Sequence, residues 1–238
     1  MKNKIQQIVK ESFKSRTEKS NYRNFFSIEV FINNPLPSNI DLDYVFSFIN
    51  KRIPPFVLDL VDSIHIGHFE DFEDRHINAK YSDGQIFLTN DQDNNDDMID
   101  DIVHELAHAL EDSYGKEVYL DRSIEQEFLG KRKKLERFLR YMEYDTHLYD
   151  FEKIQYDKKL DFFLLKGIGY DTIEALTMGL FINPYAATSI REYFAEGFED
   201  YYLNNADHVR NICPALFKVL DQINNIEWKN EIWNFRTK

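Results

Sequence analysis

The spacing of apolar residues predicts a mixture of strands and helices up to about residue 90 and mostly helices beyond it. Before that point, short runs rich in β-branched and aromatic residues alternate with turn residues. These patterns predict, in chain order, a weakly amphipathic helix over 3–18, a strand over 25–32, a helix over 41–51, a strand over 63–69 and a hairpin over 79–89 that turns at Asp83-Gly84.

Beyond residue 90 the apolar residues recur mostly at helical spacing. The predicted helices cover about 96–114, most of 121–180, about 189–203, and 214–223, with breaks at Gly115 and at Asn183-Pro184. Strands that precede a run of helices indicate an α+β fold. We expect one domain over 1–238, made of a mixed α/β lobe over about 20–115 and a helical lobe over about 116–238.

The composition is that of a globular protein with an acidic surface. Apolar residues make up 43% of the chain, which is enough for a packed core, and the net charge is −13. Because an acidic surface repels phosphate backbones, we do not expect a nucleic-acid partner. The single cysteine, Cys213, excludes an internal disulfide, and we expect a buried thiol.

The apolar runs are too short to predict a signal peptide or a membrane span. This pattern favours a cytoplasmic protein without a membrane partner, and it leaves export by another route, or a viral origin, open. It says nothing about the oligomeric state.

The segment His104-Glu105-Leu106-Ala107-His108 carries the strongest chemical signal in the chain. Residues four apart on a helix share one face, about 6 Å apart at Cβ, so both imidazoles can reach one zinc ion. Glu105 then lies beside a zinc-activated water, in the general-base position of metalloproteases. The preceding segment Ile86-Phe87-Leu88 is expected to be the edge strand along which an extended peptide or protein substrate binds.

A catalytic zinc usually has a third protein ligand. Glu111 and Tyr114 stand where the metzincin pattern requires Gly and His, so that source is excluded. Glu192 and Glu196 are four apart in a predicted helix, where one carboxylate can bind zinc and the other can accept the second N–H of a ligating imidazole. Their spacing fits a solvated acidic helix face as well, and both readings stay open at this point.

The helix around His104 and the segment 183–203 together resemble the catalytic domain of anthrax-type lethal factor and the related Pro-Pro endopeptidases. In that family a helix with an E-[FY]-F-A-E-x-F pattern supplies the glutamate ligand, and a tyrosine stands seven residues before it. This chain has EYFAEGF at 192–198 and Tyr185 seven residues before Glu192. The resemblance covers roughly residues 60–225.

The resemblance implies a zincin-like metalloprotease fold, with the active-site helix between a small mixed sheet and a mainly helical lobe. It further implies zinc as cofactor, Glu192 as third ligand, Glu196 as partner of a ligating imidazole, and Tyr185 as a donor to the tetrahedral oxyanion. A phenol is protonated at neutral pH and suits that last role.

One departure from the family concerns length. His108 and Glu192 are 84 residues apart (192 − 108), more than we expect, and the excess falls in 121–180. Substrate preference is therefore not transferred. The leading hypothesis is a zinc endopeptidase with Glu105 as general base. The alternatives are a catalytically silent binding or structural module in the same fold, and a zinc hydrolase that acts on something other than a peptide.

Overall fold

The computed structural model describes residues 22–70, 72 and 77–225, and it is an α+β structure with a five-stranded sheet. The predicted helix over 3–18 lies outside these residues. Contacts divide the chain into two compact units, Met1–Ala109 and Leu110–Lys238. The predicted lobe limits, near residues 115 and 116, stay a prediction.

The first unit contains a mixed sheet. Its strands are β1 (Tyr22–Phe25), β2 (Ile28–Ile32), β3 (Ser63–Gly67), β4 (Ala79–Ser82) and β5 (Gln85–Thr89), in the order β1-β2-β3-β5-β4. The inner pairs β2–β3 and β3–β5 are parallel, and the outer pairs β1–β2 and β4–β5 are antiparallel. Val30, Ile64 and Ile66 are fully buried, so the central strands form part of the core.

The prediction of a single strand over 25–32 is wrong. Phe26 and Ser27 form a turn that separates β1 from β2, and Phe26 has a positive φ of 59°. The segment contains no Gly, Pro, Asn or Asp, and Ser27 is its only residue of a type that commonly marks a turn. Its β-forming composition therefore concealed a hairpin.

The predicted hairpin over 79–89 is confirmed. It consists of β4 and β5, joined by Asp83 and Gly84, which have φ values of 49° and 79°. A two-residue type I′ turn requires positive φ at both positions, and Asp-Gly is among its preferred sequences.

The prediction that Ile86-Phe87-Leu88 forms an edge strand is wrong. β5 pairs with β3 on one side and with β4 on the other, so its backbone cannot accept a further strand. Ile86 and Leu88 are fully buried, and Phe87 stacks on His65 of β3 with ring centroids 5.2 Å apart. Among the strands of the described residues, β4 forms that edge of the sheet instead.

Among its described residues, the first unit contains the helices α1 (Leu42–Arg52) and α2 (Pro55–Leu58) and the start of α3 (Asn95–Val118). The Asn94 side chain accepts hydrogen bonds from the N–H groups of Asp96 and Asp97, which satisfies donors at the start of α3. Ile102 and Leu106 of α3 line the same small apolar void as Ile64 of β3. The apolar face of α3 thus packs on the sheet, and the same helix carries the histidine motif at 104–108.

The sequence predicted a helix over about 96–114 with a break at Gly115, and helical geometry is indeed interrupted just before that residue. Tyr114 has non-helical angles (φ −132°, ψ 17°), and helical hydrogen bonding resumes beyond it as far as Val118. The glycine therefore follows a kink inside the helix.

The second unit is helical in its described part. Its α-helices are α4 (Ser123–Tyr141), α5 (Lys158–Phe162), α6 (Tyr170–Thr177), α7 (Ile190–Glu199), α8 (Ala206–Ile212) and α9 (Pro214–Ile223). A π-helix joins α5 to α6, another follows α7, and a short 3₁₀ turn covers Tyr185–Ala187. The mostly helical prediction for 121–180 holds except for the irregular stretch 142–157.

Buried aromatic residues form the core of the second unit. Phe128 of α4 and Tyr193 of α7 are both fully buried, with ring centroids 5.4 Å apart. Cys213 is also buried, as expected, and lies 3.2 Å from the Lys131 ammonium. A methyl group added at Gly197 would overlap the Leu216 side chain, so α7 and α9 lie unusually close at this point.

Candidate metal centre

Helix α3 presents His104 and His108 on successive turns of one face. Their ring centroids lie 5.0 Å apart with an interplanar angle of 82°, and both residues are partly buried. The four-residue spacing on a packed helix fixes this arrangement, as the sequence predicted. One ring nitrogen of each imidazole lies within 4.8 Å of the other.

Glu105 lies beside these histidines and is buried, with 6% of its surface exposed. Its Oε2 accepts a hydrogen bond of 2.5 Å from the backbone N–H of Tyr81 in β4. In an antiparallel ladder, hydrogen-bonded and non-hydrogen-bonded residue pairs alternate. The Thr89 N–H donates to the Asn78 carbonyl, so the Tyr81–Ile86 pair is a non-hydrogen-bonded one, and the Tyr81 N–H points away from β5. The outer strand thus holds the carboxylate in place.

Helix α7 supplies the carboxylates of the site. Ser189 caps this helix, and its side chain accepts a hydrogen bond of 3.2 Å from the N–H of Glu192. Glu192 is therefore in the first turn and is partly buried.

The ligating atoms of His104, His108 and Glu192 all lie within 4.8 Å of one another. Neighbouring ligands of a tetrahedral metal ion are about 3.4 Å apart when each is about 2.1 Å from the ion. The three residues are therefore close enough to be candidate ligands of one ion. Two imidazoles and one carboxylate form a donor set that suits a divalent transition metal.

Glu196 follows Glu192 by one turn and is 8% exposed. It accepts a hydrogen bond from the side-chain amide of Asn183, whose oxygen accepts one of 2.9 Å from the Ala186 N–H. Asn183 thus ties the 3₁₀ turn that contains Tyr185 to the carboxylate of Glu196. Sequence reasoning did not identify this role of Asn183, although its place before Pro184 marked the turn.

Tyr185 is partly exposed, with 38% of its surface accessible. Burial of the phenol, and next the negative charge of Glu192, raise its pKa above the ordinary value of 10; Asp161 and Glu196 act in the same direction. The phenol therefore keeps its proton, and its ability to donate, across the neutral range.

His104 also belongs to a second group of possible ligands. One of its nitrogens and carboxylate oxygens of Glu196 and Glu199 lie within 4.8 Å of one another. Such closeness fits the expected role of Glu196 as partner of a ligating imidazole. Glu199 was missed from the sequence, although its position three residues after Glu196 places it on the same helical face.

No helix of the described residues is both long and apolar enough to cross a membrane. Comparison of the chain with protein-family models, curated proteins and solved structures finds no match. The chemistry of the site must therefore be inferred from its residues and their geometry.

Proposed function

We propose that this chain is a zinc-dependent endopeptidase with a zincin-like fold, of the lethal-factor type that its motifs resemble. The observation that carries the proposal is the convergence of His104, His108 and Glu192, whose ligating atoms lie within 4.8 Å of one another. Two imidazoles from one helix and a distant carboxylate are a common ligand set of catalytic zinc, with a fourth position open.

Zinc held by His104, His108 and Glu192 would act as a Lewis acid and would lower the pKa of a coordinated water to about 7. Glu105 is the general base: it accepts a proton from the attacking water and passes it to the leaving amine. The hydrogen bond from the Tyr81 N–H supports this role because it fixes the orientation of the carboxylate.

Tyr185 donates a hydrogen bond to the oxyanion that forms on the scissile carbonyl. Its raised pKa supports the role because the donor form persists where peptidases work. The Asn183 side chain, which bonds both Glu196 and the Ala186 N–H, holds the turn that carries the phenol.

The substrate backbone pairs with β4, the outer strand, in place of the segment 86–88 first predicted. The Tyr81 N–H points away from β5 and donates to Glu105, so an extended peptide along this edge would pair with the other outward backbone groups of β4. This side of the strand also holds Glu105, which brings the paired peptide next to the general base.

The test compares Glu105→Gln with the unmodified chain. We expect Glu105→Gln to keep one zinc per chain by metal analysis and to lose cleavage of a peptide library, read as cut sites by mass spectrometry. Glu174→Gln, at an exposed position of α6, is the matched control and keeps both properties. Full activity of Glu105→Gln would refute the mechanism.

The same measurements separate the alternatives. Absence of zinc from the purified chain, together with absence of cleavage, favours a binding or structural module. Stoichiometric zinc without any peptide cleavage favours a hydrolase that acts on another substrate.

A further inference from the structure

Glu111 is a buried carboxylate that the proposed mechanism does not use. It is 9% exposed and accepts two hydrogen bonds from charged or polar side chains. Arg191 donates through Nε at 2.8 Å to one oxygen, and the Tyr119 hydroxyl donates at 2.6 Å to the other. A buried carboxylate with both oxygens engaged is held in one geometry.

Glu111 and its partner Arg191 each lie close in sequence to a proposed metal ligand. Glu111 follows His108 by three residues on α3, less than one helical turn. Arg191 immediately precedes Glu192 in the first turn of α7. The ion pair between Glu111 and Arg191 therefore joins the C-terminal part of α3 to the first turn of α7, both within the second unit.

The kink in α3 makes the third contact possible. Tyr119 follows Glu111 by eight residues, which would separate their backbones by about 12 Å along a straight helix. The non-helical angles of Tyr114 redirect the chain between them, and the Tyr119 hydroxyl returns to Glu111. Burial of the phenol and the adjacent Glu111 raise the pKa of Tyr119, so it remains a donor.

We propose that Glu111, held by Arg191 and Tyr119, is a positioning residue that fixes Glu192 in the geometry for metal binding. The inference rests on the proposed function, because it assigns Glu192 as a ligand. Glu111 acts through Arg191: with the guanidinium anchored, the first turn of α7 cannot rotate Glu192 away.

An ordinary surface ion pair would not have this effect. Exposed pairs contribute about 0–1 kcal/mol and hold their partners loosely. Here the Glu111 side chain is only 8% exposed, although that of Arg191 is 54% exposed. The anchor is thus the buried carboxylate, and its loss leaves the guanidinium without its fixed partner.

The experiment measures zinc affinity of the full chain by competition with a chromophoric chelator. We expect Glu111→Gln and Arg191→Gln each to raise the zinc dissociation constant about 10-fold or more, the range for groups that support metal ligands. The double variant should bind no more weakly than the weaker single variant, because both changes break one interaction. Asp207→Asn, which removes an exposed pair with Arg210 in the same unit, is the matched control and leaves affinity unchanged.

A second readout separates positioning from general stability. The visible spectrum of the cobalt-substituted chain reports ligand geometry, and we expect it to change in Glu111→Gln but not in Asp207→Asn. Lower thermal stability of Glu111→Gln with unchanged zinc affinity and an unchanged cobalt spectrum would overturn the inference. If the unmodified chain does not bind zinc, or if Glu192→Ala binds it equally well, the proposed function itself fails.

Discussion

The close contact between α7 and α9 allows a quantitative test of the fold beside the site. In Gly197→Ala, the new methyl group would overlap Leu216 Cδ2 and lie 3.2 Å from Leu216 Cγ. Leu216 is fully buried, so its side chain has little space in which to withdraw. The substitution therefore forces either a strained rotamer or a shift of the helix that carries Glu192.

Two opposing effects decide the magnitude. Alanine in a helix interior is favoured over glycine by about 1 kcal/mol. Overpacking a dense core costs about 1–3 kcal/mol. We therefore expect Gly197→Ala to lower the free energy of unfolding by up to about 2 kcal/mol.

Gly130 provides the matched control. It is exposed within α4, and a methyl group there meets no atom of the described residues within 4 Å. Gly130→Ala should therefore raise stability by about 1 kcal/mol. The difference between the two variants isolates the overpacking effect, because helix propensity contributes equally to both.

The assay is thermal unfolding of the chelator-treated chain, followed by circular dichroism, so that bound metal does not contribute. For a chain of this size, 1 kcal/mol corresponds to about 2–4 °C in Tm. We expect Gly130→Ala to melt above the unmodified chain and Gly197→Ala to melt below it. If both variants gain the same stability, α7 and α9 are not in close contact at Gly197.

Three further predictions concern the site. Tyr185→Phe should lower kcat about 100-fold with unchanged zinc content, the loss typical of one oxyanion donor, and near-normal turnover would exclude that role. Because burial raises the pKa of Tyr185, loss of its proton should not limit kcat/KM below about pH 10, and a decline below that pH that disappears in Tyr185→Phe would contradict the assignment. Zinc at 100 times its dissociation constant should stabilise the unmodified chain by about 2.7 kcal/mol, or about 5–11 °C in Tm, and should not stabilise Glu192→Ala.

Features that depend on one local element were predicted well from the sequence. The helix around the histidine motif, the hairpin at Asp83-Gly84 and the helix at 190–199 all occur close to their predicted positions. Each has a strong local signal, namely helical periodicity, a type I′ turn sequence, or a Ser189 cap. The break marked by Gly115 also occurs, as a kink at Tyr114. Where the local signal was weak, as at Phe26-Ser27, the prediction failed.

The residues of the candidate site also fall into those that local sequence patterns predicted and those that they did not. The spacing of His104, Glu105 and His108, and that of Glu192 and Glu196, follows from helix geometry and could be read along the chain. Asn183 and Glu111 could not be recognised, because their importance arises from partners 13 and 80 residues away. No periodicity reports such pairs, since they depend on how separate helices pack.

The wrong prediction that segment 86–88 forms an edge strand shows what the sequence does indicate about strand order. Strand order depends on which arm of the β4–β5 hairpin pairs with β3, and turn chemistry does not decide this. Composition does: β5 contributes Ile86 and Leu88, both fully buried, whereas β4 contains Lys80 and Ser82, polar residues typical of sheet edges. The more apolar arm takes the inner position because it gains more from burial, which leaves the polar arm outside and places Tyr81 against Glu105. The position of Glu105 next to the outer strand is therefore a consequence of the hydrophobic difference between two arms of one hairpin.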